Sequence, residues 1–294
     1  MSDRPRFSVV VASFRDPALL TQCLGSLRPQ CAEFGAELVV VRAGNDAAKV
    51  PAEVWNRCRL LTAPSKADVP RLRGIGLAAA GGEWAALTED HCVADPGWLS
   101  ALVAAAQSGA EVLGGSMGNA QRKRTIDRGA FFSEYGFFGA NGLGDVAGTL
   151  PLITGANVAY HRSVLAEVTA MATAGMWENE IHERLHAGGR RFHLVPAARI
   201  RQNQNYRLGA FCRDRFEHGR DYAVTRAGSL PGWRRGLLLA ATPVLPLVLA
   251  SRVARTVDPE ERPYFRSSLP ATLTFFAAWS AGEAAGYLRG RRGS

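Results

Sequence analysis

The 294-residue chain is poor in cysteine, and what it has is scattered. Cys23, Cys31, Cys58, Cys92 and Cys212 are odd in number and form no Cys-x-x-Cys pair. That argues against a zinc cluster or a disulfide framework and for reduced thiols in a cytosolic compartment. No Gly-x-Gly-x-x-Gly follows the first apolar run, which argues against a dinucleotide oxidoreductase. The opening Met1-Ser2-Asp3-Arg4-Pro5-Arg6 lacks the apolar core of a signal peptide. There is no internal repeat or low-complexity tract, and no uninterrupted apolar run long enough for a clean membrane span. Acidic residues are scarce in one place only. Residues 1–200 carry 20 Lys+Arg against 19 Asp+Glu, but residues 201–294 carry 15 against 7. An excess of +8 in one third of the chain points to an anionic partner surface. That third also holds the most apolar stretches, which favours membrane phospholipid over nucleic acid.

What is present begins with buried-strand patterns. Residues 7–13, 37–41 and 59–62 are short apolar runs, and capped helical patterns separate them. Asp16-Pro17 and Asp68 with Pro70 are helix starts. Strands alternating with helices at this spacing predict an α/β fold with a mostly parallel central sheet and helices on both faces. Trp84-Ala85-Ala86-Leu87-Thr88 is a further buried strand, and it runs straight into Glu89-Asp90-His91. Asp95-Pro96 reads as the cap and first position of the next helix. Open α/β sheets bind ligands beyond the carboxyl ends of their strands. Two carboxylates and an imidazole at such a place are either a divalent-cation site or a polar strand-to-helix turn.

Three stretches together resemble family-2 glycosyltransferases with the GT-A fold, and the ending Trp279-Ser280-Ala281-Gly282-Glu283-Ala284-Ala285-Gly286-Tyr287-Leu288-Arg289-Gly290 resembles the tails of bacterial, membrane-associated members. The first runs from Gly82-Glu83 through Glu89-Asp90-His91 to Asp95-Pro96-Gly97-Trp98-Leu99, with Glu-Asp-His where two or three aspartates are usual. The second is Thr154-Gly155-Ala156-Asn157. The third is Trp177-Glu178-Asn179-Glu180 with Arg184-Leu185, then Gly188-Gly189 and a strand ending at Pro196. By this resemblance Glu89, Asp90 and His91 hold Mg²⁺ or Mn²⁺ against the diphosphate of a nucleotide sugar. Ser13, Arg15 and Arg73 border the nucleotide. The second strand ends in Val41-Arg42-Ala43-Gly44-Asn45-Asp46, so the base-side acid is absent or shifted to Asp46. Gly155 and Asn157 lie beneath the sugars, Glu178 stands at the catalytic base and Glu180 at the second acid.

The resemblance implies a metal-dependent, inverting transfer of a sugar from a nucleotide diphosphate sugar to a sugar or lipid-linked hydroxyl acceptor, in cell-surface glycan or glycolipid synthesis. A nucleotide-sugar-binding or scaffold protein without turnover is the alternative, on the strength of Glu-Asp-His, Arg42 and Trp177. Residues 1–205 would form the catalytic domain, with a nucleotide half at 1–118 and an acceptor half at 119–205. Residues 206–294 would form basic, apolar helices at the cytoplasmic face of the bacterial plasma membrane. Within them, 236–251 and 267–282 are two uncharged runs of 16 residues each, the first broken by Pro243 and Pro246. Residues 119–150, Gly-rich with Phe131, Phe132, Tyr135, Phe137 and Phe138 close together, read as a long loop that would either cover an acceptor or pack its aromatics into a core.

Overall fold

The computed structural model describes residues 5–44, 57–141, 152–228 and 230–289. They form two compact units, one of Met1–Ala120 with Phe138–Gln204, the other of Gln121–Phe137 with Asn205–Ser294.

The first unit is built on one sheet. Its strands are β1 (Phe7–Ser13), β2 (Glu37–Ala43), β3 (Arg59–Ala63), β4 (Trp84–Glu89), β5 (Cys92–Ala94), β6 (Val112–Asn119), β7 (Val158–His161) and β8 (Phe192–Gln202). They lie in the order β3-β2-β1-β4-β7-β6-β8-β5. The half containing β3, β2, β1 and β4 is parallel throughout, as the strand–helix alternation predicts. Beyond it the sheet is mixed. β7 runs antiparallel to both β4 and β6, β8 is parallel to β6, and β5 is antiparallel to β8.

Every residue of β1 and of β4 is buried, which is why both read as continuous apolar runs rather than alternating ones. Each fully buried valine of β1 contributes about 1.5–3 kcal/mol by leaving water. α1 (Pro17–Glu33) starts at Asp16, whose carboxylate accepts from Ala18 N at 2.7 Å. α2 (Val69–Ala79) starts at Asp68, which accepts from Arg71 N at 3.0 Å. α2 lies so close to β1 and β2 that a Cβ on Gly76 would run into Val10 and Val41.

α3 (Trp98–Ala105) begins later than expected. Its N-cap is Gly97 at φ +85°, not Asp95. The Asp95 carboxylate is committed elsewhere, accepting from Arg201 Nε and Nη2 at 2.6 and 2.8 Å. α4 (Thr125–Glu134) is a helix where the sequence reads as a loop, burying Phe131 and Phe132, and it belongs to the second unit, while α5 (Arg162–Thr173) and α6 (Glu178–Ala187) complete the first.

The second unit adds α7 (Leu208–Ala227), α8 (Gly232–Ala241), α9 (Leu245–Thr256) and α10 (Arg262–Arg289). α7 and α10 pack backbone to backbone. A Cβ on Gly219 would meet Trp279 O, and one on Gly282 or Gly286 would meet Phe216 O or Arg220 O. Ala130 of α4 joins Tyr206, Phe211 and Phe275 in a small core. Phe131, Phe132 and Tyr135 of the aromatic stretch are buried and stack on one another, with Phe132 also edge-on to Phe265. The run 267–282 lies in α10, with Ser268, Thr272, Phe275, Phe276 and Ser280 buried. It is therefore a packed helix of this unit. Among the described residues no single helix is long and apolar enough to cross a membrane.

Candidate active site

β1 and β4 are neighbours with Ala12 opposite Glu89, so their carboxyl ends finish together. The turn leaving β4 therefore faces the turn leaving β1, and Asp90 joins the two. Its Oδ2 accepts from Ser13 Oγ at 2.9 Å and from the backbone N–H of Phe14 and of Arg15 at 2.7 Å each. Arg42, from β2, stands 3.9 Å from the same oxygen. Its guanidinium donates to Ser13 Oγ at 2.7 Å and to Arg15 O at 3.2 Å. Asp90 and Arg42 are thus a buried ion pair bridged by a hydroxyl. Ser13 is fully buried and hydrogen-bonded on both sides within the protein, so it braces this turn. Arg15 contributes its backbone N–H to Asp90, and its guanidinium rests over the Phe14 ring, 4.9 Å from the centroid. Arg42 was legible only as a departure from the family pattern; a lone cation at the end of an apolar strand is the signal of a buried counter-charge. Asp46 lies outside the described residues.

The imidazole of His91 stands between its two acidic neighbours. Nε2 is 3.4 Å from Glu89 Oε2, and Nδ1 is 3.7 Å from Asp90 Oδ1. The two carboxylates therefore face opposite edges of the ring. Among the described residues no three His, Cys, Asp or Glu side chains converge on one point. The expectation of a three-ligand site is corrected to two protein donors. Glu89 Oε2 and His91 Nε2 are spaced close to the ~3 Å edge of an octahedron with bonds of about 2.1 Å. Asp90 Oδ1 is buried and accepts no hydrogen bond, so it is the other carboxylate oxygen able to join His91. His91 is common to both pairs. A divalent cation held by one or two carboxylates and completed by phosphate oxygens is the Mg²⁺ pattern; Glu89 and Asp90 supply such carboxylates, with the His91 imidazole as a softer neighbour.

Arg73 reaches the same place from α2. It is buried, and its guanidinium donates to Glu89 Oε1 at 2.6 Å and to Glu178 Oε2 at 2.7 Å. Burial alone would weaken its proton affinity, but the two carboxylates more than offset that and raise it. Gly155 makes room for this arrangement, since a Cβ there would overlap the Arg73 guanidinium. The glycine thus admits Arg73.

Glu178 opens α6, with Trp177 as N-cap. Burial pushes its carboxyl up, but Arg73, with its charge and its hydrogen bond, together with the helix-start N–H, holds it below the ordinary carboxylate range. One turn on, His182 is buried with Nε2 2.8 Å from the Tyr160 hydroxyl. Burial drives His182 down to about 4, against the pull of Glu178. It is neutral at pH 7. Sequence reading passed over both His182 and Tyr160; their signals are the i, i+4 step from Glu178 and a tyrosine inside a buried strand. Arg73, Glu178 and Tyr160 line a small cavity otherwise walled by Leu77, Leu87 and Ile181.

Two expected contacts are structural instead. Asn157 is fully buried, and its amide donates to Ser116 O and Ala198 O at 2.8 Å each while accepting from Trp98 Nε1 at 2.9 Å. It ties β6, β8 and α3 together, with both amide N–H groups spent on backbone carbonyls. Glu180 lies on the far side of α6 and pairs with Arg184 at 2.9 Å.

Comparison with solved structures finds likeness to a mannosyltransferase from Pyrobaculum calidifontis in complex with GDP-Man and Mn²⁺. The two are 16% identical, covering 97% of this chain and 74% of that one, with a TM-score of 0.48. A glucosyl-3-phosphoglycerate synthase from Mycobacterium tuberculosis, in complex with Mn²⁺, uridine diphosphate and phosphoglyceric acid, is 17% identical, covering 72% and 74%, with a TM-score of 0.47. Comparison with curated proteins finds no match. The sequence model of glycosyl transferase family 2 matches residues 8–169, more than half of the chain and, apart from Phe7, strands β1 to β7. With that match and this mixed α/β sheet, the chain belongs to glycosyl transferase family 2 and has the GT-A fold.

Proposed function

We propose that this protein transfers a sugar from a nucleotide diphosphate sugar to a sugar or lipid-linked hydroxyl, with inversion, using Glu178 as base and Mg²⁺ or Mn²⁺ held at His91. The observation that carries this reading is the Arg73 bridge. One guanidinium contacts Glu89, beside the candidate cation position, and Glu178, the candidate base. Donor-side and acceptor-side groups are thereby brought within one side chain of each other.

The cation would supply neutralisation of the charge that collects on the departing diphosphate. The chain supplies the rest. Glu178 is ionised at neutral pH, so it can accept a proton from the acceptor hydroxyl. As that oxygen bonds to the anomeric carbon, the bond from the carbon to the diphosphate oxygen breaks. One carboxylate base serves this single displacement, unlike hydrolysis between two flanking carboxylates, one of which must arrive protonated. Arg73 orients Glu178 and balances its charge until the acceptor hydroxyl takes its place beside the carboxylate.

A protein of the same fold that binds nucleotide sugars without turnover is the second reading. It is favoured by the same bridge, because Arg73 already occupies both carboxylates. Turnover of nucleotide sugars, with and without EDTA, separates the two. In the enzyme, Glu178→Gln should keep donor binding and lower turnover by about 10²–10⁴. His91→Ala should instead weaken cation-dependent donor binding, read by calorimetry with Mn²⁺. A folded Glu178→Gln protein with near-normal turnover removes Glu178 from the mechanism.

A further inference from the structure

Helices α8 and α9 bury almost nothing. No residue of α8 is buried, and α9 buries only Ala250 and Val253. Trp233, Leu237, Val244 and Leu247 are each more than half exposed. The two helices meet at an elbow of 76°, where Pro243 and Pro246 prevent one continuous helix. The charge carried by the elbow's own stretch of chain is of one sign. From Tyr222 to Val257 there is no Asp or Glu, but there are five arginines, at 226, 234, 235, 252 and 255. Arg235 is anchored to Tyr287 O at 2.9 Å, and Arg234 lies over the Trp233 ring. Arg252 and Arg255 are exposed on α9.

What covers such a face must take apolar side chains and cations together. A second copy meeting the elbow with the same elbow would set arginine against arginine, because a two-fold contact is self-complementary and this one contains no acid. An anionic lipid surface satisfies both demands, with acyl chains for the leucines, phosphates for the arginines and the headgroup boundary for tryptophan. We propose that the α8–α9 elbow docks this protein onto an anionic membrane leaflet, lying in its surface. Lengths decide between lying and spanning. Helices of 10 and 12 residues are about 15 and 18 Å long, against a hydrocarbon core of about 30 Å, and the sharp bend keeps them from adding end to end. The proposal does not depend on the chemistry assigned to Glu178.

The test is flotation of the full chain with vesicles of phosphatidylglycerol or of phosphatidylcholine. Flotation with the anionic vesicles, and far less with the neutral ones, is expected. Leu237→Asp with Leu247→Asp should abolish it. Arg234→Gln and Arg252→Gln should each weaken partitioning about fivefold, with unchanged circular dichroism. Wild-type protein that floats with neither vesicle overturns the proposal. So does a leucine double variant that floats normally, or a wild-type dimer that the double variant splits into monomers, which would make the elbow a contact between copies.

Discussion

Replacing Asp90 removes the acceptor of three donors at once and strands the Arg42 charge in the interior. Breaking a buried pair from one side costs about 3–5 kcal/mol, more than the pair itself contributes, because the remaining ion cannot be hydrated. Asp90→Ala should therefore lower the unfolding free energy by about that much in urea titration. Adding Arg42→Leu should restore part of the loss. An Asp90→Ala protein as stable as wild type would show that the pair does not hold the β1–α1 turn. This is also where sequence reading reached its limit. Glu89 and His91 were legible from their types at the end of a buried strand, Arg73 and Glu178 only through the family resemblance. The roles of Asp90, Ser13 and Asn157 were not, since a sequence shows which polar groups exist but not which are already bonded to one another. Asn157 and Trp98 stood in two separate motifs, and only the fold reveals that they hydrogen-bond to each other.

α10 carries the same lesson for a whole element. Its run at 267–282 is as long and as free of charge as the run at 236–251, so length and charge alone do not separate them, although the second is the more apolar. The difference is in the small residues. Ser268, Thr272 and Ser280 are buried along α10, and Gly282 and Gly286 let α7 approach until backbone meets backbone. The strands β1, β2 and β4 were legible for the opposite reason, since burial on both faces leaves an apolar run with no helical reading at that length. Gly282→Ala would press a methyl group onto Phe216 O, a backbone atom that cannot rotate away. A loss of about 1–3 kcal/mol is expected from such overpacking, measured by thermal unfolding of the full chain. Gly209→Ala, in α7 with open space around it, should instead be neutral or stabilising by up to about 1 kcal/mol. If both behave alike, the close α7–α10 contact is not what sets the stability of that unit.

Across the whole molecule, pH is the variable that gathers these local arrangements into one measurable curve. The ion pair of Glu178 with Arg73 and the buried neutral His182 both lie in the first unit. His182 titrates at about 4 in the folded protein against an ordinary value of 6.5. As pH falls through 6.5 the unfolded chain takes up this proton and the folded one does not, so unfolding is favoured until the folded histidine also titrates. That gap corresponds to roughly 3 kcal/mol, present above pH 6.5 and lost by about pH 4. Glu178 acts in a lower window. Its folded value is held below the ordinary 4.5, so its contribution is intact above that pH and fades as pH falls through the folded value. Urea unfolding at a series of pH values should therefore show an early decline followed by a second one. His182→Gln keeps a polar partner for the Tyr160 hydroxyl but cannot take up a proton. It should flatten the early decline and leave the later one, while Glu178→Gln should do the reverse. A variant curve that tracks wild type between pH 6.5 and 4 would mean that His182 is hydrated or already protonated, and that the buried network behind Glu178 is not closed to water.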